Sequence, residues 1–382
     1  MTTPIHIIEV TNRKTLSDFL HFPLQIYKED PHWVCPLFAE EKKRLDQKQN
    51  PFFDHAEGKL FVAYQNNTPV GRISAQVDHL HLKIHQDNAG FFGFFECINN
   101  QDVANALLDE AGKYLASKKI TKIRGPFSFS INDQSGLLID GFDSPPFVLM
   151  PHNAPYYQKL IENYGFTKAK DLFAYSYSTQ RPVPDGAKQI ADYVASQPGV
   201  VVREVNKKNI GQDLKIIIDI FNEAWSKNWG FIPLTDKEIE HTAKDLSLIL
   251  EPKLALIALV NGVPAAISLA LPNINEAIKD LNGRLFPFGL FKLLWRIKTN
   301  KIKSARQVLL GIKKEFRKDV MGGLSVLLYV EMHKRSQLLQ HWGGETSWTL
   351  EDNQKINHGI ELMGGKRYKT FRIFEKDTPH LP

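Results

Sequence analysis

Leu254-Ala-Leu-Ile-Ala-Leu-Val260, then Asn261-Gly262, then Val263-Pro-Ala-Ala-Ile-Ser-Leu-Ala270 is the stretch on which the reading of this chain turns. Two apolar runs flank a dipeptide whose residues both tolerate positive φ, the sequence form of a tight β-hairpin. An earlier stretch repeats it: Leu60-Phe-Val-Ala-Tyr64, the turn Gln65-Asn-Asn-Thr68, and Pro69-Val-Gly-Arg-Ile-Ser-Ala75. Ala63 precedes Pro69, and Ala258 precedes Pro264, at the same spacing.

Further out, a second interval recurs. Asn153 leads to Gly165 as Asn353 leads to Gly365. Each interval carries apolar residues at helical spacing: Tyr156, Tyr157, Leu160 and Tyr164 in one, Ile356, Ile360 and Met363 in the other. A strand follows each, Leu172–Tyr177 and Lys369–Phe374. Longer amphipathic helices are predicted over Asp102–Ala116 and Gly323–Leu339. Strands Gly90–Cys97 and Ile120–Arg124 flank the first, and Arg306–Ile312 and Glu345–Leu350 the second. Two anchors at nearly equal separation argue for an internal duplication.

The two prolines of Thr179-Gln-Arg-Pro-Val-Pro-Asp-Gly186 fix φ and remove donors, so this segment reads as the linker. The expected fold class is therefore α/β, with domains over residues 1–180 and 187–382. Each is a mixed, mostly antiparallel sheet flanked by helices. A length of 382 residues suits two such cores.

The net charge of +6 is modest, but its excess is local. Lys292, Arg296, Lys298, Lys301, Lys303, Arg306, Lys313, Lys314, Arg317 and Lys318 are opposed within that run by Glu315 alone. Such a run is either a solvated face or a surface for phosphates, nucleic acid or a membrane. The apolar stretch Leu285–Trp295 is too short and too interrupted for a membrane span. Cys35 and Cys97 have no metal-ligand spacing, so no metal is expected and the thiols read as reduced core residues. The start, Met1-Thr-Thr-Pro-Ile-His6, lacks a secretory pattern, and a cytoplasmic location is expected.

The element order resembles the GNAT family of acyl-CoA-dependent N-acyltransferases. The likeness covers nearly the whole chain as two tandem GNAT-like domains. The resemblance implies acetyl-CoA or another acyl-CoA as co-substrate. In the second domain the thioester and pantetheine would lie along Val308-Leu-Leu-Gly-Ile312, with Leu310, Gly311 and Ile312 presenting backbone groups. The pyrophosphate would sit at the helix start formed by Gly322, Gly323, Leu324 and Ser325, where free N–H groups and the helix dipole favour an anion. Arg317 and Lys318 would add charge there, Val320 standing where the family has Arg or Gln. Asn353 would open the last helix. The first domain has Asp102 at the matching place, so it is expected not to bind CoA and to supply structure or a wall of the substrate site.

For catalysis, Glu351 is the candidate base and Tyr368 the candidate acid. Glu361 and Ile161 occupy the positions where the family carries its tyrosine. His55 and Glu57, as an acid–base pair, with Asn132 and Asn153 in loops at strand ends, are candidate substrate residues. The acceptor would be a small-molecule or peptide amine held between the domains. Two other readings stay open: an aminoacyl-tRNA-dependent transferase of similar tandem fold, supported by the basic run, and a non-catalytic ligand-binding protein on a decayed fold.

Overall fold

The computed structural model describes residues 4–246 and 249–379. The chain opens with β1 (Ile5–Glu9), α1 (Arg13–Ile26), α2 (Phe38–Leu45), β2 (Ala56–Gln65), β3 (Thr68–Asp78), α3 (His79–His85) and β4 (Ala89–Cys97). It continues through α4 (Gln101–Ser117), β5 (Lys122–Gly125), β6 (Leu137–Asp140), α5 (Tyr157–Asn163), β7 (Thr167–Ser178), α6 (Asp185–Ala195), β8 (Val200–Glu204), α7 (Ile210–Trp225) and α8 (Asp236–Leu246). The remainder is β9 (Ala255–Val260), β10 (Val263–Pro272), α9 (Asn275–Ile278), α10 (Gly289–Lys298), β11 (Ser304–Ile312), α11 (Leu324–Leu338), β12 (Gly343–Leu350), α12 (Gln354–Leu362) and β13 (Lys366–Asp377).

Two units emerge: one of residues 1–172, 281–284 and 369–382, the other of residues 173–280 and 285–368. The prolines of Thr179–Gly186 predict a boundary there, between ranges 1–180 and 187–382. Besides the short excursion of residues 281–284, the changeovers fall at Leu172/Phe173, inside β7, and at Tyr368/Lys369, inside β13. Proline marks where a strand must stop, and β7 does stop at Ser178, with Pro184 at the start of α6. Which sheet a strand joins depends on its pairing partners, and those are distant in sequence.

In the first unit β1–β2, β2–β3 and β3–β4 are antiparallel and β4–β5 is parallel. Residues Phe374–Asp377 of β13 pair with β5. Asn66 and Asn67, at φ 50° and 60°, make the expected hairpin turn between β2 and β3. The crossover helix α4 buries Val103, Leu107, Ala111 and Leu115 against Ile73, Phe92 and Phe374. Cys35 and Cys97 are buried free thiols of this unit, and burial pushes Cys35 up to about 12.

The second unit repeats the plan. β8–β9, β9–β10 and β10–β11 are antiparallel, β11–β12 is parallel, and α11 is the crossover. Asn261 and Gly262 turn the hairpin at φ 50° and 79°. Leu324, Leu327, Leu328 and Met332 pack on Leu256, Ala258 and Ala266. The repeated Asn anchors differ in role. Asn353 caps α12, whereas α5 begins only at Tyr157, and the buried Asn153 side chain accepts the Leu138 N–H at 2.9 Å.

Asp87, at the entry to β4, ties the first unit together. Its carboxylate lies 2.9 Å from His81 Nε2, and Arg124 donates to it at 2.9 Å. Burial raises its pKa, but the charges and hydrogen bonds of His81 and Arg124 outweigh that and bring it to about 2. A depressed carboxylate stabilises the fold above the unfolded value and loses that contribution as pH falls through the folded one. Asp87→Asn is thus expected to remove about 2 kcal/mol at neutral pH and to flatten the fall in stability between about pH 4 and 2. Urea unfolding of both proteins across that range checks it; parallel curves would mean that Asp87 carries no such weight.

Candidate active site

Parallel strands bond through one edge each, and where the ladder stops the backbone groups beyond it need other partners. In the second unit the described pairing of β11 with β12 runs over Ser304–Gln307 and Gly343–Thr346. Past that point β11 continues against β10 as far as Ile312, so the ladder on its other edge ends while the strand runs on. The first unit has the same arrangement, with pairing over Ala89–Phe91 and Lys122–Arg124. There, however, the chain leaving β5 stays against β4. Phe127 N–H donates to Phe92 O at 2.8 Å, and the Gln76 amide donates to the Phe127 and Phe129 carbonyls. A Cβ on Gly93 would lie 1.8 Å from Phe127 O, so only glycine permits this approach. The first unit fills its opening with its own backbone.

A pocket lies at the base of the opening in the second unit. Ala270, Ala305, Met332, Ile360 and Met363 give it apolar walls, and Gln307, Glu345, Thr346, His333, Ser336, Tyr177, Tyr329 and Thr179 add polar groups. Glu345 is buried and accepts hydrogen bonds from Tyr368 Oη and Ser347 Oγ, with Arg306 Nε 3.8 Å away. Arg306 is buried too. It donates to Ser347 Oγ at 2.7 Å and to Ser347 O at 3.2 Å, and burial pulls its pKa down to about 10. Tyr177 Oη lies 2.7 Å from His333 Nδ1. Burial lowers the His333 pKa and raises that of Tyr177 to about 12, so both are neutral near pH 7. A buried carboxylate and a neutral Tyr–His pair thus line one largely apolar pocket.

The helix start beside this opening differs from a bare N-terminus. A short 3₁₀ segment, Asp319–Gly323, runs into α11. Gly322 N–H bonds to Lys318 O, and Leu324 N–H to Met321 O, so these two amides are already used. A Cβ on Gly323 would meet Val194 at 2.7 Å, so its glycine character serves the packing of α6. Arg317 donates to the carbonyls of Ile312 (2.9 Å) and Ala224 (3.2 Å), while Lys318 and half-buried Ser325 flank the turn. Leu310 and Ile312 pack on the unit's core, and Trp225 covers Gly311. In the first unit the Asn100 side chain accepts from Asp102 N and Val103 N; the cap of α4 is Asn100, and Asp102 follows it.

Of the candidate catalytic residues, Tyr368 reaches the pocket's edge through its bond to Glu345. Glu351 stands past the end of β12 and outside the pocket lining. Asn353 accepts from Ile356 N as a cap. His55 and Glu57 do not form the expected pair: His55 Nδ1 is 2.9 Å from Asp78, and Glu57 binds Lys118 with His79 at 3.5 Å. His55 lies before β2, which begins at Ala56, and each of the two side chains is taken up by a different partner. Asn132 is exposed, its N–H bonded to Ser130 Oγ. Neither sequence pattern nor spacing singled out Glu345, His333 or Tyr177. A carboxylate in Glu345-Thr-Ser-Trp-Thr-Leu350, otherwise uncharged, was the available signal.

No family model matches this chain. It is 38% identical over 374 residues to the bacterial ceramide synthase of Caulobacter vibrioides, covering 97% of each chain. It is 38% identical over 367 residues to protein YghO of Escherichia coli, covering 96% of this chain and 93% of that one. Among solved structures, a tandem GNAT protein from the clavulanic acid biosynthesis pathway matches 99% of this chain and all of its own at a TM-score of 0.61 and 10% identity. A GCN5-related N-acetyltransferase from Sphaerobacter thermophilus matches at a TM-score of 0.55, also at 10% identity, over 100% of this chain and 98% of its own. This chain has a tandem GNAT fold and belongs to the family of the Caulobacter ceramide synthase and YghO.

Proposed function

We propose that the chain is an N-acyltransferase that moves a long-chain acyl group from acyl-CoA to the amine of a long-chain amino alcohol. The observation that carries this reading is the pocket at the β11/β12 opening, where apolar walls meet a buried carboxylate and a neutral Tyr–His pair, in a chain 38% identical to a ceramide synthase over nearly its full length. A ceramide is the N-acyl derivative of such an amino alcohol, and that relative's name supports the acyl and acceptor classes proposed.

In this reading the thioester lies along the open edge of β11 and its acyl chain enters the pocket between Ala270, Met332, Ile360 and Met363. The amine nitrogen attacks the thioester carbon, the C–S bond breaks, and the amine's extra proton passes to Glu345. Tyr177 protonates the leaving thiolate and is reprotonated through His333. Backbone N–H groups of β11 stabilise the oxyanion. Lys318 and Ser325, beside the start of α11, face the diphosphate. The first unit, its opening filled by Phe127 and its helix capped by Asn100, takes no CoA.

The test is thiol release by the purified full chain with palmitoyl-CoA and sphinganine, with acetyl-CoA and with charged tRNA as comparison donors. Amide product from palmitoyl-CoA at a rate about 100-fold above acetyl-CoA is expected. No product from any acyl-CoA, or transfer from charged tRNA alone, overturns the reading.

A further inference from the structure

We infer that α10 and the turn before it form a docking surface for the face of an anionic lipid bilayer. The segment belongs wholly to the second unit and stands apart from the pocket. Its sequence, Leu285-Phe-Pro-Phe-Gly-Leu-Phe-Lys-Leu-Leu-Trp-Arg-Ile-Lys298, is as apolar as a core helix, yet α10 buries no residue fully. Phe286 is 78% exposed, Phe288 77%, Phe291 73%, Trp295 57% and Leu294 45%. Phe288, Phe291, Trp295 and Lys298 follow one another at intervals of three and four, so they share one face of the helix. That face points to solvent. Leu290, Leu293 and Ile297, on the other side, are the half-buried ones. A contiguous aromatic stripe on a water-facing helix is costly unless something covers it.

Charge decides what covers it. From Leu285 to Lys303 the chain carries Lys292, Arg296, Lys298, Lys301 and Lys303 and no acidic residue. Lys292 and Arg296 bind Asp280, which fixes the helix to its own unit. Lys298 and Lys301 are exposed at the end of the stripe, the Lys301 ammonium 5.7 Å from the centre of the Trp295 ring. Aromatic side chains at headgroup depth, flanked by long cationic ones, are what an interfacial helix presents to acidic lipid. A neutral apolar partner would leave these cations without counter-charge. The inference stands on this surface alone and does not need the acyl-transfer reading.

The experiment is flotation of the full chain with vesicles of phosphatidylcholine, with and without phosphatidylglycerol, in the absence of acyl-CoA. Binding to the phosphatidylglycerol vesicles is expected, weakening with salt and about tenfold poorer on phosphatidylcholine alone. Phe288→Ser with Phe291→Ser and Trp295→Ser is expected to lower binding by at least about tenfold, with an unchanged melting temperature because these side chains are exposed. Lys298→Glu with Lys301→Glu is expected to remove the preference for phosphatidylglycerol. Failure of the wild type to float with either vesicle overturns the inference. So does a triple-serine protein that floats as before, or one whose only change is conversion from an oligomer to a monomer in sedimentation. Thiol release with acyl-CoA and a short water-soluble amine, measured without vesicles, reports on the proposed reaction separately.

Discussion

Replacing Glu345 with glutamine is expected to lower kcat/KM for acyl transfer by about 10²–10⁴-fold, the range for loss of a positioned acid–base group. Glu345 lines the pocket and is held by Tyr368 and Ser347. The amide oxygen of glutamine can keep accepting from either hydroxyl, but it cannot take the proton of the attacking amine. The same change removes the carboxylate 3.8 Å from the buried Arg306, at a cost of about 3 kcal/mol. Lost activity alone would therefore not separate catalysis from support of the fold. Arg306→Met with Glu345→Leu removes both charges at once, which is often near neutral for stability. That double variant is expected to melt close to the wild type and to stay inactive. Activity recovered along with stability would make Glu345 a structural counter-ion and place the base elsewhere. Glu345→Gln should act on kcat while leaving the acyl-CoA KM within about threefold.

The fold was legible where local chemistry decides it. Asn261-Gly262 and Asn66-Asn67 sit in positive-φ turns, as their tolerance for that region requires. The apolar faces of α4 and α11 were readable from their periodicity, because a crossover helix must bury one stripe against its sheet. The site was less legible. Arg306 and Glu345 lie on different strands joined by the whole of α11, and only parallel pairing brings them together. His333 and Tyr177 meet in the same non-local way. Gly322-Gly323 looks like an anion-binding turn in sequence, but its glycines also suit a 3₁₀ segment under the side chains of α6, and local pattern does not separate the two. Phe127 closes the opening of the first unit by a backbone contact with no sequence signature beyond Gly93.

A chain limited to residues 187–382 is expected to accumulate as insoluble protein, although the proline-rich linker makes it look like a whole domain. Residues 173–178 belong to the second unit, and within it they include Ala174 and Tyr175, both almost wholly buried. Tyr177 binds His333, the Thr179 hydroxyl donates to His341 O at 2.5 Å, and Gln337 donates to Thr179 O at 2.8 Å. Cutting before residue 187 deletes all of these and leaves β12 without its neighbour β7, a bare sheet edge of the kind that pairs with other chains. At the other end, residues 369–382 belong to the first unit. Phe371, Ile373 and Phe374 are fully buried there, and in the fragment they would face water at about 1.5–3 kcal/mol each. The fragment thus loses a strand it needs and keeps one it cannot bury. A fragment of residues 173–368 follows the observed changeovers and is expected to give the higher soluble yield and the sharper urea transition of the two. A soluble, cooperatively unfolding 187–382 fragment that binds palmitoyl-CoA would show that residues 173–186 are dispensable to the second unit.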